Sequence, residues 1–355
     1  MPMPVDELRF SARSTASTRI IAAGIVIGFC YWASTVIVTV LAAVLMAYFL
    51  DPVVGWLERI RVSRALGSLL VVLCALAVFA VLAWVLIERA DQFGQDWPNY
   101  RAPLRAATAA VESRLESFER HVSEIEPTAT GSGPQIVTIA ESHPVRSAVV
   151  GRLGSVSEFL LAATFMPFLV FFMLAAKRQV WHATMQLFPA NQRTRVRDTL
   201  EDVTHVLRSY LMGTALVGLV LVLASWVTFW LFGLDFPFLT ALVSGLCNLV
   251  PYLGAVVSWI PPLLVGLKHY HTVGPFAGIF ALLTFFHIVA ANLLIPALVG
   301  WRVRLNAMAL TVALLFWGWI WGPMGLILAI PVTAVLKVIC DHVERLQSVG
   351  RWLSA

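Results

Sequence analysis

Residues 65–87 read "ALGSLLVVLCALAVFAVLAWVLI", a run without a single charged side chain. An α-helix rises about 1.5 Å per residue, so about 20 such residues cross the hydrocarbon core of a bilayer. Nothing else in the chain narrows its choices so far. A lipid-exposed segment of this kind must satisfy its backbone groups internally, as a helix does. Two further runs, Phe159 to Ala176 and Ser209 to Leu234, have the same character. Of the 355 residues, 59% are hydrophobic and 13% charged, against roughly 25% charged in ordinary globular domains. The expected fold is all-α: a polytopic integral membrane protein.

The first apolar run, Ile20 to Leu50, is too long for one span and short for two. We expect two short spans with a tight turn near Tyr31 to Ser34. A cleaved signal is not expected, because no small-residue site opens into a polar chain. Arginines set the orientation, since Lys and Arg collect on the cytoplasmic side. Arg9, Arg13 and Arg19 precede the first span, and Arg59, Arg61 and Arg64 follow the second. Both groups fit the cytoplasm, as does the arginine-rich stretch from Lys177 to Arg208. The reading is a cytoplasmic segment 1–19, first membrane segments 20–87, an external helical region 88–154, a membrane core 155–340 and a cytoplasmic tail 341–355. In the external region Val111, Leu115, Phe118, Val122 and Ile125 form a heptad-like stripe, punctuated at its start by Pro98 and Pro103. A flexible linker, "EPTATGSGP", ends it. Such a stripe serves as an oligomer contact, as a lid, or as a helix lying on its own membrane domain.

Residues 247–266, "CNLVPYLGAVVSWIPPLLVG", place breakers at the centre of an apolar stretch. Proline removes a backbone donor and clashes with the preceding turn. Residues 309–337 repeat the plan: apolar residues, the breaker "GPMG", then more apolar residues. In both segments a proline precedes a lysine by six positions, Pro262 before Lys268 and Pro331 before Lys337. Paired broken segments are the best sequence pointer to a transporter site, because broken backbone survives only where protein buries it or where it lines a wet cavity. Each segment can be a kinked span or a re-entrant hairpin. The hairpin reading puts Arg302 and Arg304 in the cytoplasm and Lys268 outside, with the hairpins inserted from opposite faces. Pro251, Gly254, Pro323 and Gly325 would then shape the pathway.

Polar candidates within the spans are few. His287 is the best placed, and an intramembrane ionisable group marks function by default; its alternative role is an imidazole bonded to a neighbouring helix. Asn248 and Asn292 lie just before Pro251 and Pro296, able to bond a solute or to satisfy freed backbone. Asp51 and Asp235 sit at segment ends, where capping or snorkelling accounts for them. With no carboxylate at the middle of a clear span, a neutral or weakly polar organic cargo fits better than antiport on a buried acidic pair. Thr214 and Gly218 make a small-xxx-small pair for a close helix contact, between copies or within one. Cys30, Cys74, Cys247 and Cys340 show no metal or disulfide spacing. No phosphate-binding loop or H-E-x-x-H motif is present, and no cofactor or enzymatic role is expected. The net charge of +5 reflects membrane orientation, and nucleic acid is not an expected partner. A transporter and a membrane scaffold with a partner-recruiting helix both remain open.

The segments "AYFLDPVVGWLERIRVSRALGSLLVVL", "SYLMGTALVGLVL", "LCNLVPYLGAVVSWIPPLL", "NLLIPALVGWRVRLN" and "LLFWGWIWGPMGLILAIPVTAVLK" together resemble the autoinducer-2 exporter family of PerM-like permeases. The resemblance runs from about Ala47 to the end of the chain. It implies a bacterial inner-membrane transporter of about eight hydrophobic segments, exporting a small molecule with autoinducer-2 as the namesake cargo. It also implies a homo-oligomer. Some relatives are assigned cation/proton antiport instead. The chain departs from the pattern after "RLN", where relatives commonly carry proline and this one has Ala307.

Overall fold

The structure is a computed structural model that describes residues 16–123, 153–248, 253–270, 272–298 and 305–354. Among them every regular element is helical. The first run breaks at the expected place but does not reverse there. Helix α1 (Ala16–Trp32) meets α2 (Ser34–Arg59) at Ala33, where Ala33 N–H donates to the Phe29 carbonyl at 2.8 Å and Ile37 N–H to the Ala33 carbonyl at 3.0 Å. Helical bonding thus continues through the junction, and the two short spans expected with a tight turn are instead one kinked helical run. Helix α3 (Arg64–Ser123) is 60 residues long and carries the uncharged run 65–87 straight into the segment that follows it. It passes through Pro98 and Pro103, so these prolines do not start a separate helix. Each removes one donor, a local loss that a long helix absorbs. The stripe side chains Val111, Leu115, Phe118 and Val122 lie outside the described ones, as do Ile125, the linker and the N-terminal Arg9 and Arg13.

Helix α4 (Leu153–Ala175) follows, strongly apolar in its described second half. It packs with α2 and α3 around Ala43, Val54, Val71, Val170 and Leu174. A short helix, α5 (Lys177–Gln186), leads to α6 (Arg193–Leu231), 39 residues long, with several arginines on its first turns. Among the described residues five helical segments are long and apolar enough to cross a membrane. The outer faces of these segments and of α4 stay bare: Phe79, Trp84, Phe168, Phe172, Trp230 and Leu315 are all more than half exposed. An apolar belt of that size on a monomer is a lipid surface.

The first broken segment folds back on itself. Helix α7 (Pro237–Cys247) goes in; α8 (Leu253–Val257) and α9 (Ile260–His269) come out. Its ends meet, with Lys268 Nζ 3.1 Å and His269 Nδ1 3.7 Å from Asp235 Oδ2. Asp235 is thus the clasp of a hairpin and not the snorkelling or capping group its position suggested. The in-going arm packs tightly on α6, where a Cβ at Gly245 would collide with the Val222 side chain.

Next comes a continuous helical segment, Val273–Leu298. It consists of α10 (Val273–Val289), a π-turn (Ala290–Leu294) and α11 (Ile295–Leu298). At about 1.5 Å per residue its 26 residues span about 39 Å and deliver the chain to the other end of the molecule.

The second broken segment, α12 (Ala307–His342), bends at Gly322, whose φ of 61° and ψ of −142° lie outside the helical region. A straight helix would separate Trp317 from Thr333 by about 24 Å. Instead the Trp317 indole donates to Thr333 Oγ1 at 3.1 Å. The ends also converge: Asn306 Nδ2 donates to the Trp352 carbonyl at 2.8 Å, and α13 (Gln347–Leu353) folds back until Gly350 abuts Asp341. Asn306 caps the first arm by accepting from Ala309 N–H at 2.6 Å. Ala307 is the first residue of this arm. The tip lies against α1 and α2, with Trp321 donating to the Cys30 carbonyl.

The two hairpins are anchored at opposite ends of α6. Tyr270, at the base of the first, donates to the Phe232 carbonyl just past the C-terminal end of α6. At the base of the second, Glu344 meets Arg195 at 2.6 Å and His342 lies 3.4 Å from Asp202, both near its N-terminal end. Along a helix Asp202 and Phe232 are about 45 Å apart, so the tips point inward from opposite sides.

Candidate functional site

The breaker residues set how closely each hairpin closes. Gly254 is buried where α8 meets the end of α7; a Cβ there would sit 2.5 Å from the Cys247 carbonyl oxygen and 2.6 Å from Asn248 Cα. Gly325 does the same job in the second hairpin, against the Trp317 carbonyl. Only a residue without a side chain lets the two arms approach backbone to backbone. Pro262 and Pro331, matched in the sequence, are both fully buried on the returning arms. Pro323 opens the second returning arm directly after Gly322. Pro251, Arg302 and Arg304 lie outside the described residues.

The polar candidates separate into two kinds. Asn292 Nδ2 donates to the Ile288 carbonyl at 2.9 Å, in the π-turn just before Pro296, and so serves freed backbone. Asn248 stands at the C-cap of α7, at the first tip. His287 bonds its own helix and not a neighbour: Nδ1 is 2.8 Å from the Leu283 carbonyl. A carbonyl only accepts, so Nδ1 carries the proton and Nε2 of a neutral ring is an acceptor. That Nε2 is buried with no partner among the described residues, and so are Ser244 Oγ and Trp259 Nε1. All three belong to the first hairpin or the helix after it. Ser244 and Trp259 lie at similar depth from the hairpin base, about 14–15 Å along their arms. Buried polar atoms without partners are rare and call for an explanation by water, ion or solute. Beside Trp259 there is space of about 20 Å³, walled by Pro262, Phe276, Phe280 and Leu283, which suffices for a water-sized occupant. Ser244 and Trp259 were missed in the sequence, where neither differs from an ordinary membrane-helix residue.

A second polar region lies at the arginine-rich end. Asp51 takes Arg64 at 2.8 Å and Lys177 at 2.7 Å; Arg64 also holds Glu58 at 3.0 Å and the Leu174 carbonyl at 2.7 Å. Asp51 is therefore the hub that ties α2, α3 and the start of α5 together, correcting the expectation of capping or snorkelling. Beyond it opens a cleft of about 610 Å³ between α5 and α6. It shares Lys177, Trp181 and Thr204 with a neighbouring space of about 280 Å³ against α2, and His205 with one of about 340 Å³ against the second hairpin.

On α6 a side chain at Gly218 would meet nothing within 4 Å. The small-residue pair Thr214 and Gly218 therefore makes no tight contact at Gly218 within one copy.

The profile of the "AI-2E family transporter" group matches residues 20–345. "Putative transport protein YrrI" of Bacillus subtilis (strain 168) is 28% identical over 88% of this chain and 88% of its own length. "AI-2 transport protein TqsA" of Escherichia coli (strain K12) is 24% identical over 91% of this chain and 90% of its own length. "Putative permease PerM" of the same organism is 27% identical over 88% of each. These matches over most of the chain agree with the multi-pass helical architecture. The chain belongs to the AI-2E family of transporters, multi-pass proteins of bacterial membranes.

Proposed function

We propose that this chain is a secondary permease of the inner membrane that exports a small polar organic molecule between its two opposed hairpins. The observation that carries this reading is the pair of hairpins closed at opposite ends of α6, each held by a glycine-backbone contact near its tip. Two inward-pointing tips allow a solute to be reached from one face at a time. Asn248, His287, Ser244 and Trp259 are the polar contacts on the first side; Gly254, Pro323 and Gly325 shape the tips. Asn292 and Pro296 support the π-turn, which packs on α6 through Ala290, while Pro262 and Pro331 stiffen the returning arms. The arginine-rich end is cytoplasmic by the distribution of basic residues, which puts both termini inside. The open Gly218 face of α6 suits a contact between copies in a homo-oligomer. Autoinducer-2 is the cargo to test first, because TqsA carries that substrate in its name. The experiment is solute flux in vesicles containing this protein alone, with an inside-out orientation loaded from the outer bath. Uptake of autoinducer-2 or another small polar metabolite is expected. No flux across a broad metabolite set, together with a stable co-purifying partner, would replace the permease by a scaffold.

A further inference from the structure

The cleft between α5 and α6 has the size of a ligand site and an uneven charge balance. Its volume, about 610 Å³, lies within the roughly 300–1,000 Å³ typical of small-molecule sites. Four charged or titratable residues line it, and their partners differ. Lys177 reaches Asp51 at 2.7 Å, and Glu201 is matched by Arg197 at 2.7 Å. His205 Nδ1 lies 3.3 Å from Ser209 Oγ. Arg208, one turn along α6, makes no hydrogen bond or ion pair among the described residues. The wall therefore presents a guanidinium whose charge no carboxylate takes up, with the Ser209 hydroxyl and the Trp181 indole beside it. Guanidinium is a planar fork that matches a carboxylate or phosphate with two parallel bonds.

We propose that this cleft binds the anionic group of a small molecule, carboxylate or phosphate, with Arg208 as the two-pronged contact and Lys177 as the second positive charge. The site deepens the permease reading and rests on it for the direction of transport: the cargo is recognised by an acidic group at the cytoplasmic mouth. This narrows the neutral or weakly polar cargo suggested by the uncharged spans. The same chemistry is presented by the phosphate of an anionic lipid headgroup, since basic pockets between helices on this side also take such lipids.

The test is calorimetric titration of the purified full-length protein in neutral detergent with succinate, inorganic phosphate, and short-chain phosphatidylglycerol against short-chain phosphatidylcholine. Binding of succinate or phosphate that Arg208→Gln weakens at least tenfold, with Arg208→Lys intermediate, supports a free solute. Binding of phosphatidylglycerol alone with the same loss supports a lipid source for the same site. No binding of any anionic probe, or binding unchanged in Arg208→Gln, overturns the proposal. Arg178→Gln, whose partner is Glu58 at 3.4 Å, is the control and leaves every titration unchanged. Size-exclusion profiles confirm that the variants stay folded, which is expected because Arg208 is exposed. Binding with no vesicle flux would sink the permease reading and leave the site standing.

Discussion

Gly322 holds a backbone conformation, φ 61° and ψ −142°, that side chains rarely tolerate. Strain of this kind costs of order 1–3 kcal/mol per residue. Gly322→Ala should therefore lower the thermal inactivation midpoint and loosen the second hairpin, while Gly318→Ala, which meets only the mobile end of Leu326, should cost less. Fluorescence-detected thermal melts of the two variants decide the comparison; equal midpoints would mean that the bend does not depend on glycine. At Gly254 the obstacle is backbone and not side chain, so Gly254→Ala should be destabilising by about 1–3 kcal/mol, the usual range for overpacking. Asp51 is a different case. It is the acceptor for two cations and only 19% exposed. Asp51→Asn should cost about 1–3 kcal/mol, because charged donors would keep only weaker partners. Addition of Lys177→Gln should then cost less than it does alone, and a strictly additive double variant would show that the two groups act independently.

The hairpins are elements that local propensity alone would not build. Each has arms of one to two dozen residues, held by one polar clasp at the base and apolar packing above it. The second is tied to α6 through Arg195 and Glu344, and the hydrogen bond and charge of Arg195 hold the Glu344 carboxyl below its ordinary range. A depressed carboxylate contributes stability that is present above the unfolded pKa and lost as pH falls through the folded one. The clasp should therefore be intact from pH 5 to 8 and open below about pH 4, the ordinary carboxylate region. Spin labels at Gln192 and Gln347 would report this as a distance increase in acid. Glu344→Gln should abolish that charge-dependent step, and persistence of the step would assign it to another carboxylate.

Across the whole molecule, opposite anchoring of the two hairpins carries a topological consequence. Single cysteines at His269 and Leu305, in a background lacking Cys30, Cys74, Cys247 and Cys340, sit near the two bases. An impermeant thiol reagent added outside should label position 269 and spare position 305. Labelling of 305 with protection of 269 would mean that both broken segments cross the membrane. Reconstitution bears on the assembly: Gly218→Leu, which fills open space on α6, should leave the monomer fold intact and reduce oligomer size on native gels. Unchanged size would remove this face from the interface.

The amino-acid order by itself determined the class and the segment plan. Uncharged runs of about 20 residues have few alternatives to a membrane helix, so α3, α4 and α6 were legible from composition alone. The breaks were legible too, because proline and glycine act on their own backbone, and Gly254, Gly325, Pro262 and Pro331 took matching places in two hairpins. The family motifs lie along the chain and need no folding to be seen. Partner choice was decided only in three dimensions. Asp51 and Lys177 are 126 positions apart, and nothing local distinguishes a carboxylate that caps a helix from one that collects two cations. Ser244 and Trp259 became noteworthy only when burial removed their partners. The cleft around Arg208 exists only because α5 folds back beside α6. Periodicity and breakers act over a few residues and are written in sequence, whereas burial and charge pairing are properties of the space that distant residues enclose together.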